Sequence, residues 1–298
     1  MSEIDYSAVS ALCNDLMESG GKDQCGLAAK TVADALSLIK AVIKYASRMK
    51  YITDRTVLDV SVKVKNAPLR VLTVQEQQIL ISELMEKLDF TGLGVYICLF
   101  TGIRVGELCT LTWDDISLEN NMIHIHRTMQ RIQTPDCEKK TAILIAEPKS
   151  QCSIRDIPIA GTLREKLMQQ TVKEGYVLTG NKNKYVEPRT MQNRFKAIAE
   201  RCGIRDVHFH TLRHTFATRC IEVGFDVKSL SEILGHANVS ITLNRYVHPS
   251  MELKQKNMDK LSAFRKSAVL PRKIKHFTES LILCEIFLAV KTHLHVRL

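Results

Sequence analysis

Three short segments hold the side chains best suited to chemistry. In Thr101-Gly102-Ile103-Arg104-Val105-Gly106-Glu107-Leu108, an arginine follows a glycine break and a glutamate lies three residues on. On a helix that spacing shares one face, so Glu107 can fix the direction of the Arg104 guanidinium. A plain surface ion pair has the same spacing. In His208-Phe209-His210-Thr211-Leu212-Arg213-His214, His210 and Arg213 are likewise neighbours on one helix face. Together they can serve one anionic group, the arginine as a planar charged fork and the histidine as a proton donor or acceptor. Two other readings stay open: a satisfied polar pair, or His210 and His214 holding a metal four residues apart. The glutamate of an H-E-x-x-H helix is missing for the latter. The third segment runs from Ile233 through Gly235, His236 and Ser240 to Tyr246. By residue type alone a tyrosine there reads first as packing.

These residues need elements to carry them. Residues 8–50 read as helical, with Ala33, Leu36, Ile39, Ile43 and Ala46 as an amphipathic stripe. Lys40, Lys44 and Arg48 lie among them as candidate DNA-binding residues. Residues 53–72 change to a linker with extended segments around Val57, Val60, Val62 and Val64. Thr73-Val74-Gln75-Glu76 then reads as a capping box opening a helix to about Leu88. Gly92 to Thr101 is apolar nearly all round, which predicts a buried helix, broken at Gly102. Three strands are expected at 123–127, 142–146 and 154–159, the latter two joined by Glu147-Pro148-Lys149-Ser150-Gln151. Helices follow at 162–171, 188–202 with Pro188 in its first turn, 210–223, 227–234 and 240–247, where Ser240 is the expected cap.

The chain has 298 residues, a formal net charge of +10 and a pI near 9.1. A basic balance of that size points to an anionic partner, nucleic acid ahead of a membrane surface. The nine cysteines form no C-x-x-C pair, and several sit in apolar runs. That pattern fits reduced thiols in a cytoplasmic protein and argues against a disulfide framework. No signal-peptide pattern opens the chain, and no uncharged apolar run is long enough to span a membrane. From Arg265 onward the sequence carries seven basic and two acidic residues and an apolar stretch, Leu281–Val290. It reads either as an exchange helix for another protomer or as a poorly ordered tail.

Taken together, R-x-x-E at Arg104 and Glu107, a lysine in a strand turn at Lys149, H-x-x-R at His210 and Arg213, L-G-H ending at His236, and Tyr246 ten residues later resemble the tyrosine recombinase family of phage-integrase type. The resemblance covers roughly residues 70–262. It implies an α+β fold: a mostly helical catalytic domain with a small antiparallel three-stranded sheet, preceded by a helical core-binding domain. The domains are expected at 1–66 (shortened at its start), 67–264 and 265–298, the last a basic C-terminal tail.

The resemblance also implies roles. Arg104 and Arg213 neutralise charge on the non-bridging oxygens of a phosphodiester. Glu107 supports Arg104. His210 acts as the base, Lys149 as the acid for the leaving 5′ oxygen, and His236 as a hydrogen-bond partner of the phosphate. Tyr246 becomes the nucleophile, giving a 3′-phosphotyrosine without metal, ATP or other cofactor. Lys139 and Lys140 are the rival lysines, set aside because Ile154-Arg155-Asp156-Ile157-Pro158 reads as the strand after Lys149. The implied partners are double-stranded DNA, a homo-tetramer on that DNA, and accessory excision or host DNA-bending proteins. The expected activity is site-specific recombination as an integrase of a phage or mobile element. The alternatives are a chromosome-dimer resolving recombinase and an inactive DNA-binding remnant. A type IB topoisomerase shares the nucleophile, but the L-G-H to tyrosine spacing favours the recombinases.

Overall fold

The computed structural model describes residues 4–53, 55–64, 69–134, 141–148, 150–247, 255, 258 and 259. Lys139, Lys140, Lys149 and the tail with Leu281–Val290 lie outside the described residues. The chain divides into two compact units, one up to Leu69 and one from Arg70 onward.

The first unit is a helix pair. Helix α1, Tyr6–Ser19, starts at Asp5, whose carboxylate accepts the Ala8 amide at 2.8 Å. Helix α2 is Ala29–Arg48. The uninterrupted helix expected over 8–50 is broken between them, where Gly26 has φ +80° and a Cβ would lie 2.1 Å from the Met17 carbonyl oxygen. Only glycine fits that backbone and that space. Val9 and Cys13 pack on Val32, Leu36 and Ile43, together with Val57 and Val60. The expected extended linker is here a 3-10 turn, Thr56–Asp59. With about three residues per turn, it places Val57 and Val60 on the same inner side.

The second unit opens with α3, Val74–Glu86, capped as the sequence predicts. The Thr73 hydroxyl accepts the Glu76 amide at 3.1 Å, and Glu76 accepts the Thr73 amide at 2.8 Å. Arg70 hydrogen-bonds the same carboxylate, which holds Glu76 down at about 2. Helix α4, Phe90–Thr101, is buried on nearly every side. It runs through the core because no face of it is polar. Gly102 ends it at φ +65°, where a Cβ would meet Phe216 at 2.5 Å. Helix α5, Val105–Leu108, restarts at once. Gly106 lets it pack tightly, since a Cβ there would sit 2.7 Å from the Met129 carbonyl oxygen.

Strands β1 (Ile116–Ser117), β2 (Met122–Ile125) and β5 (Arg155–Pro158) form a three-stranded antiparallel sheet in the order β1-β2-β5. Ile123 lies opposite both Ile116 and Ile157, which sets an apolar row toward the core. The segment expected as the middle strand is β4, Thr141–Ala146, and it pairs elsewhere. It makes a separate two-stranded ribbon with β3, Thr128–Gln133. The sequence reading missed β3 because Thr-Met-Gln-Arg-Ile-Gln buries only Met129 and shows no inward alternation. Its ladder hydrogen bonds, rather than core burial, define it.

Helices α6 (Gly161–Met168), α7 (Pro188–Arg201), α8 (Phe209–Glu222), α9 (Val227–Leu234) and α10 (Val239–Tyr246) complete the unit. Pro188 occupies the first turn of α7, as read from sequence. Helix α10 is capped by Asn238 rather than Ser240, the Asn238 side chain accepting the Ser240 amide at 2.8 Å. No helix among the described residues is long and apolar enough to cross a membrane.

Candidate active site

The site forms where two helix ends converge beside a third helix. Helix α4 ends at Gly102, α9 ends at Gly235 in a left-handed conformation, and α8 passes both. Helix C-termini leave carbonyl oxygens without intrahelical donors. Here arginines supply the donors. Arg155 Nε donates to the Ile233 carbonyl at 2.6 Å, Arg213 Nη2 to Leu234 at 2.7 Å, and Arg104 Nη2 to Gly235 at 3.0 Å. Three consecutive carbonyls are thus held by three arginines from three different elements. Arg213 Nη1 also reaches the Gly102 carbonyl at 2.7 Å and so ties the end of α4 to the end of α9.

Glu107 gathers two of the arginines. It is 2% exposed. Its Oε1 accepts from Arg104 Nη1 at 2.8 Å and from Arg155 Nη1 at 3.1 Å. Its Oε2 accepts from the Arg104 amide at 2.8 Å and from Arg155 Nη2 at 2.9 Å. Burial pushes this carboxyl up, but the Arg155 hydrogen bonds and charge, then Arg104, outweigh it and hold it below the usual carboxylate range. The pairing of Arg104 with Glu107 expected from spacing is present, and it is a buried anchor rather than a surface ion pair.

Arg155 was not among the residues expected to matter. It is a charged side chain at an inward position of β5, on the same face as Ile157, and nine-tenths buried. A charge at a core-facing strand position was the available signal. Gly235 makes room for it, since a Cβ there would lie 3.1 Å from Arg155 Cδ.

The histidines and the tyrosine line the same place. Arg213 Nη2 lies 2.9 Å from His236 Nε2. A guanidinium has only donors, so Nε2 accepts, and the opposite nitrogen, Nδ1, donates to Thr242 Oγ1 at 2.8 Å. His214 Nδ1 is 2.9 Å from the Tyr246 hydroxyl. The His236 and Tyr246 rings stand parallel, 6.5 Å apart. His210 meets His214 edge to face at 4.5 Å. Among the described residues, no three His, Cys, Asp or Glu side chains come together in a group that could hold a metal ion.

The arginine charges dominate the electrostatics. His210 and His236 are each lowered to about 4 and His214 to about 3, first by lost hydration and then by neighbouring positive charge. All three are therefore neutral at pH 7. Burial lowers Arg213 to about 9, with Arg104 adding to the effect, so Arg213 still carries its charge there. Tyr246 is buried and raised above the ordinary phenol value, while Arg213 and Arg245 oppose that rise. A cluster of guanidiniums and neutral imidazoles around a phenol is built to receive a dianionic or monoanionic oxygen group.

The structure therefore brings Arg104, Glu107, His210, Arg213, His236 and Tyr246 together. Of the basic residues on α2, Lys44 and Arg48 are exposed, whereas Lys40 Nζ donates to the Leu58 carbonyl at 2.6 Å within its own unit.

Arg213→Lys would keep the charge but could not serve two carbonyls and His236 in one plane. If phosphodiester cleavage is the reaction, single-turnover cleavage is expected to fall about 100-fold. Unchanged cleavage in that variant would argue against a role for the planar fork.

The sequence model of the Phage integrase family matches residues 70–252, more than half of the sequence, and the chain belongs to that family. Among curated relatives, it is 28% identical over 251 residues to a XerC-like tyrosine recombinase of Caldanaerobacter subterraneus subsp. tengcongensis. That match covers 76% of this chain and 64% of the relative. It is 25% identical over 217 residues to the transposase from transposon Tn916 of Enterococcus faecalis, covering 65% of this chain and 52% of the relative. The chain thus spans less than two thirds of the length of both. Among solved structures it resembles the Tn1549 transposon integrase in complex with circular intermediate DNA, with a TM-score of 0.68 at 21% identity, covering 86% of each chain. It also resembles a lambda integrase dimer bound to a COC′ core site, with a TM-score of 0.58 at 15% identity, covering 84% of this chain and 82% of that one. These likenesses establish the shared fold: a mostly helical α+β catalytic architecture with small antiparallel sheets and a helical region before it.

Proposed function

We propose that the chain is a site-specific DNA recombinase acting as the integrase of a mobile element, with Tyr246 as its nucleophile. The observation that carries this reading is the buried Tyr246, whose hydroxyl lies 2.9 Å from His214 Nδ1 and against Arg213 and Arg245, with the His236 ring parallel to its own. In the proposed step, Tyr246 Oη attacks phosphorus, a P–O bond to the tyrosine forms, and the bond to the 5′ oxygen breaks. The 5′ oxygen leaves with a proton, for which Lys149 is the proposed donor; the phenolic proton goes to the histidine pair beside Tyr246, with His210 the base that the family motif implies and His214 the imidazole in hydrogen-bond contact with the phenol. Arg104 and Arg213 stabilise the charge that builds on the non-bridging oxygens. Their position supports this: Arg213 is held by the Gly102 and Leu234 carbonyls and by His236, and it also lies against the Tyr246 hydroxyl. His236 accepts from Arg213 here, so it would turn its Nε2 to the phosphate only by changing tautomer or partner. The 3′-phosphotyrosine conserves the phosphodiester energy, and a 5′ hydroxyl of another strand reverses the step without ATP or metal.

The same reading takes double-stranded DNA as substrate and a homo-tetramer as the working assembly, acting in the cytoplasm with accessory bending or excision proteins. The exposed Lys44 and Arg48 would contact the DNA backbone. The likeness to a XerC-like recombinase favours, as a second reading, resolution of chromosome dimers by the same chemistry.

The test uses nicked duplexes tiled across the DNA flanking the gene. The protein should form an adduct stable to SDS, and trypsin should release the tag on the peptide Tyr246–Lys254. A tag on any other peptide removes Tyr246 from the nucleophile's role. No adduct on any duplex supports an inactive DNA-binding remnant instead.

A further inference from the structure

The family motif accounts for His210, Arg213, His236 and Tyr246, but the imidazole within hydrogen-bond distance of the phenol, His214, lies outside that set. We propose that His214 is the positioning residue for the nucleophile: its Nδ1 accepts the Tyr246 hydroxyl and holds the phenolic oxygen against the arginines. The inference rests on Tyr246 being the nucleophile.

The geometry supports it from two sides. His214 Nδ1 and the Tyr246 hydroxyl are 2.9 Å apart, a normal hydrogen-bond length. The two rings are 5.7 Å apart at 51°, so the contact is made at the ring edge rather than by stacking. His214 also meets the His210 ring, the two nearly perpendicular with centroids 4.5 Å apart. His210, the base implied by the family motif, thus touches His214, and His214 touches the phenol. Both histidines sit on α8, one turn apart, while the tyrosine closes over them from α10.

The direction of the bond follows from charge. The groups that face His214 are His210 and Arg213 on its own helix, Arg245 on α10, and His236 in the turn before α10. None is a carboxylate. Surrounded by positive and neutral groups and partly desolvated, the imidazole stays neutral, with a value pushed down to about 3. A neutral imidazole has one acceptor nitrogen, and in the proposed tautomer that nitrogen is Nδ1, the one facing the phenol O–H. The acceptor therefore persists through the whole range in which DNA is handled. Arg213 and Arg245 also lie against the hydroxyl. Their N–H groups only donate, so they cannot take the phenolic proton's hydrogen bond.

The expected consequence is a loss of aim rather than of binding. An error of about 1 Å in a reacting atom costs on the order of 100-fold in rate. The experiment measures single-turnover adduct formation at saturating protein on the nicked duplex that the wild type cleaves. The variants are His214→Asn, His214→Gln and His214→Phe, with duplex affinity measured beside each. Asparagine places its amide oxygen near the Nδ1 position, so it should cleave within about threefold of wild type. Phenylalanine fills the space without an acceptor and should be about 100-fold slower at unchanged affinity. Glutamine carries its amide one carbon too far and should fall nearer to phenylalanine. A residue that only fills space would give the opposite order, with phenylalanine ahead of asparagine. That result, equal rates for asparagine and phenylalanine, or a wild-type rate in phenylalanine overturns the proposal. An adduct that survives Tyr246→Phe would instead overturn the nucleophile reading, whatever His214 does.

Discussion

Tyr246→Phe is expected to lose the SDS-stable DNA adduct altogether while still binding duplex DNA. The substitution removes one oxygen and leaves the ring, so packing of the buried residue against its cluster of Ala217, Cys220, Leu230 and Leu234 is kept. The structural loss is one hydrogen bond to His214, worth about 1 kcal/mol. Against a total stability of about 5–15 kcal/mol, that leaves the unit folded. The chemical loss is complete, because phenylalanine has no oxygen with which to form the proposed bond to phosphorus. Adduct yield and duplex affinity, measured on the same preparation, separate the two effects. Loss of both together would mean that the hydroxyl serves the fold rather than the reaction.

Glu107→Gln is expected to be the most damaging substitution to stability. The glutamine keeps the volume but not the charge, and its NH2 would point donors at Arg104 or Arg155, which have only donors themselves. The Arg155 side chain is 6% exposed and the Glu107 side chain 2%. Removing one member of so buried a pair typically costs about 3–5 kcal/mol, since the charge left behind has lost both water and partner. For a unit of this size, that corresponds to a fall in Tm of roughly 10 °C. The pair also sets a pH dependence. The folded value of Glu107 lies below its ordinary value of 4.5. The stabilisation is therefore fully present above about pH 4.5 and fades as pH falls through the folded value. Urea unfolding at neutral and acid pH measures both effects. A Glu107→Gln variant with unchanged Tm would show that the arginines find adequate partners without it. The same variant should cleave more slowly, because Arg104 loses the carboxylate that aims it.

Sequence reading reached the helices well, because local chemistry defines their ends. Thr73 with Glu76, Pro188 and the two left-handed glycines, Gly102 and Gly235, act through residues a few positions apart. It named the candidate catalytic residues only through the order of the family's motifs. Nothing in the periodicity around Tyr246 distinguishes it from a packing tyrosine, and in the fold it is in fact packed. Two kinds of feature escaped. The β3–β4 ribbon carries little apolar alternation, so its pairing could not be seen from one strand. Arg155 and His214 act through partners far off in sequence: Arg155 reaches Glu107 48 residues away, and His214 reaches Tyr246 32 residues away. Such contacts exist only once the helix ends have converged. In the sequence, the four-residue spacing of His210 and His214 points to each other and not to the tyrosine on α10.

The three arginines on the end of α9 have a bearing on how the site can change over generations. Ile233, Leu234 and Gly235 offer one carbonyl each, and Glu107 offers one carboxylate to two of the same arginines. Groups that share partners do not contribute independently. Once one arginine is lost, its carbonyl is orphaned and the remaining pair is already misplaced, so a second loss removes less than the first. The cluster is therefore strongly epistatic. The first substitution within it carries most of the cost, and later ones add less than their single effects.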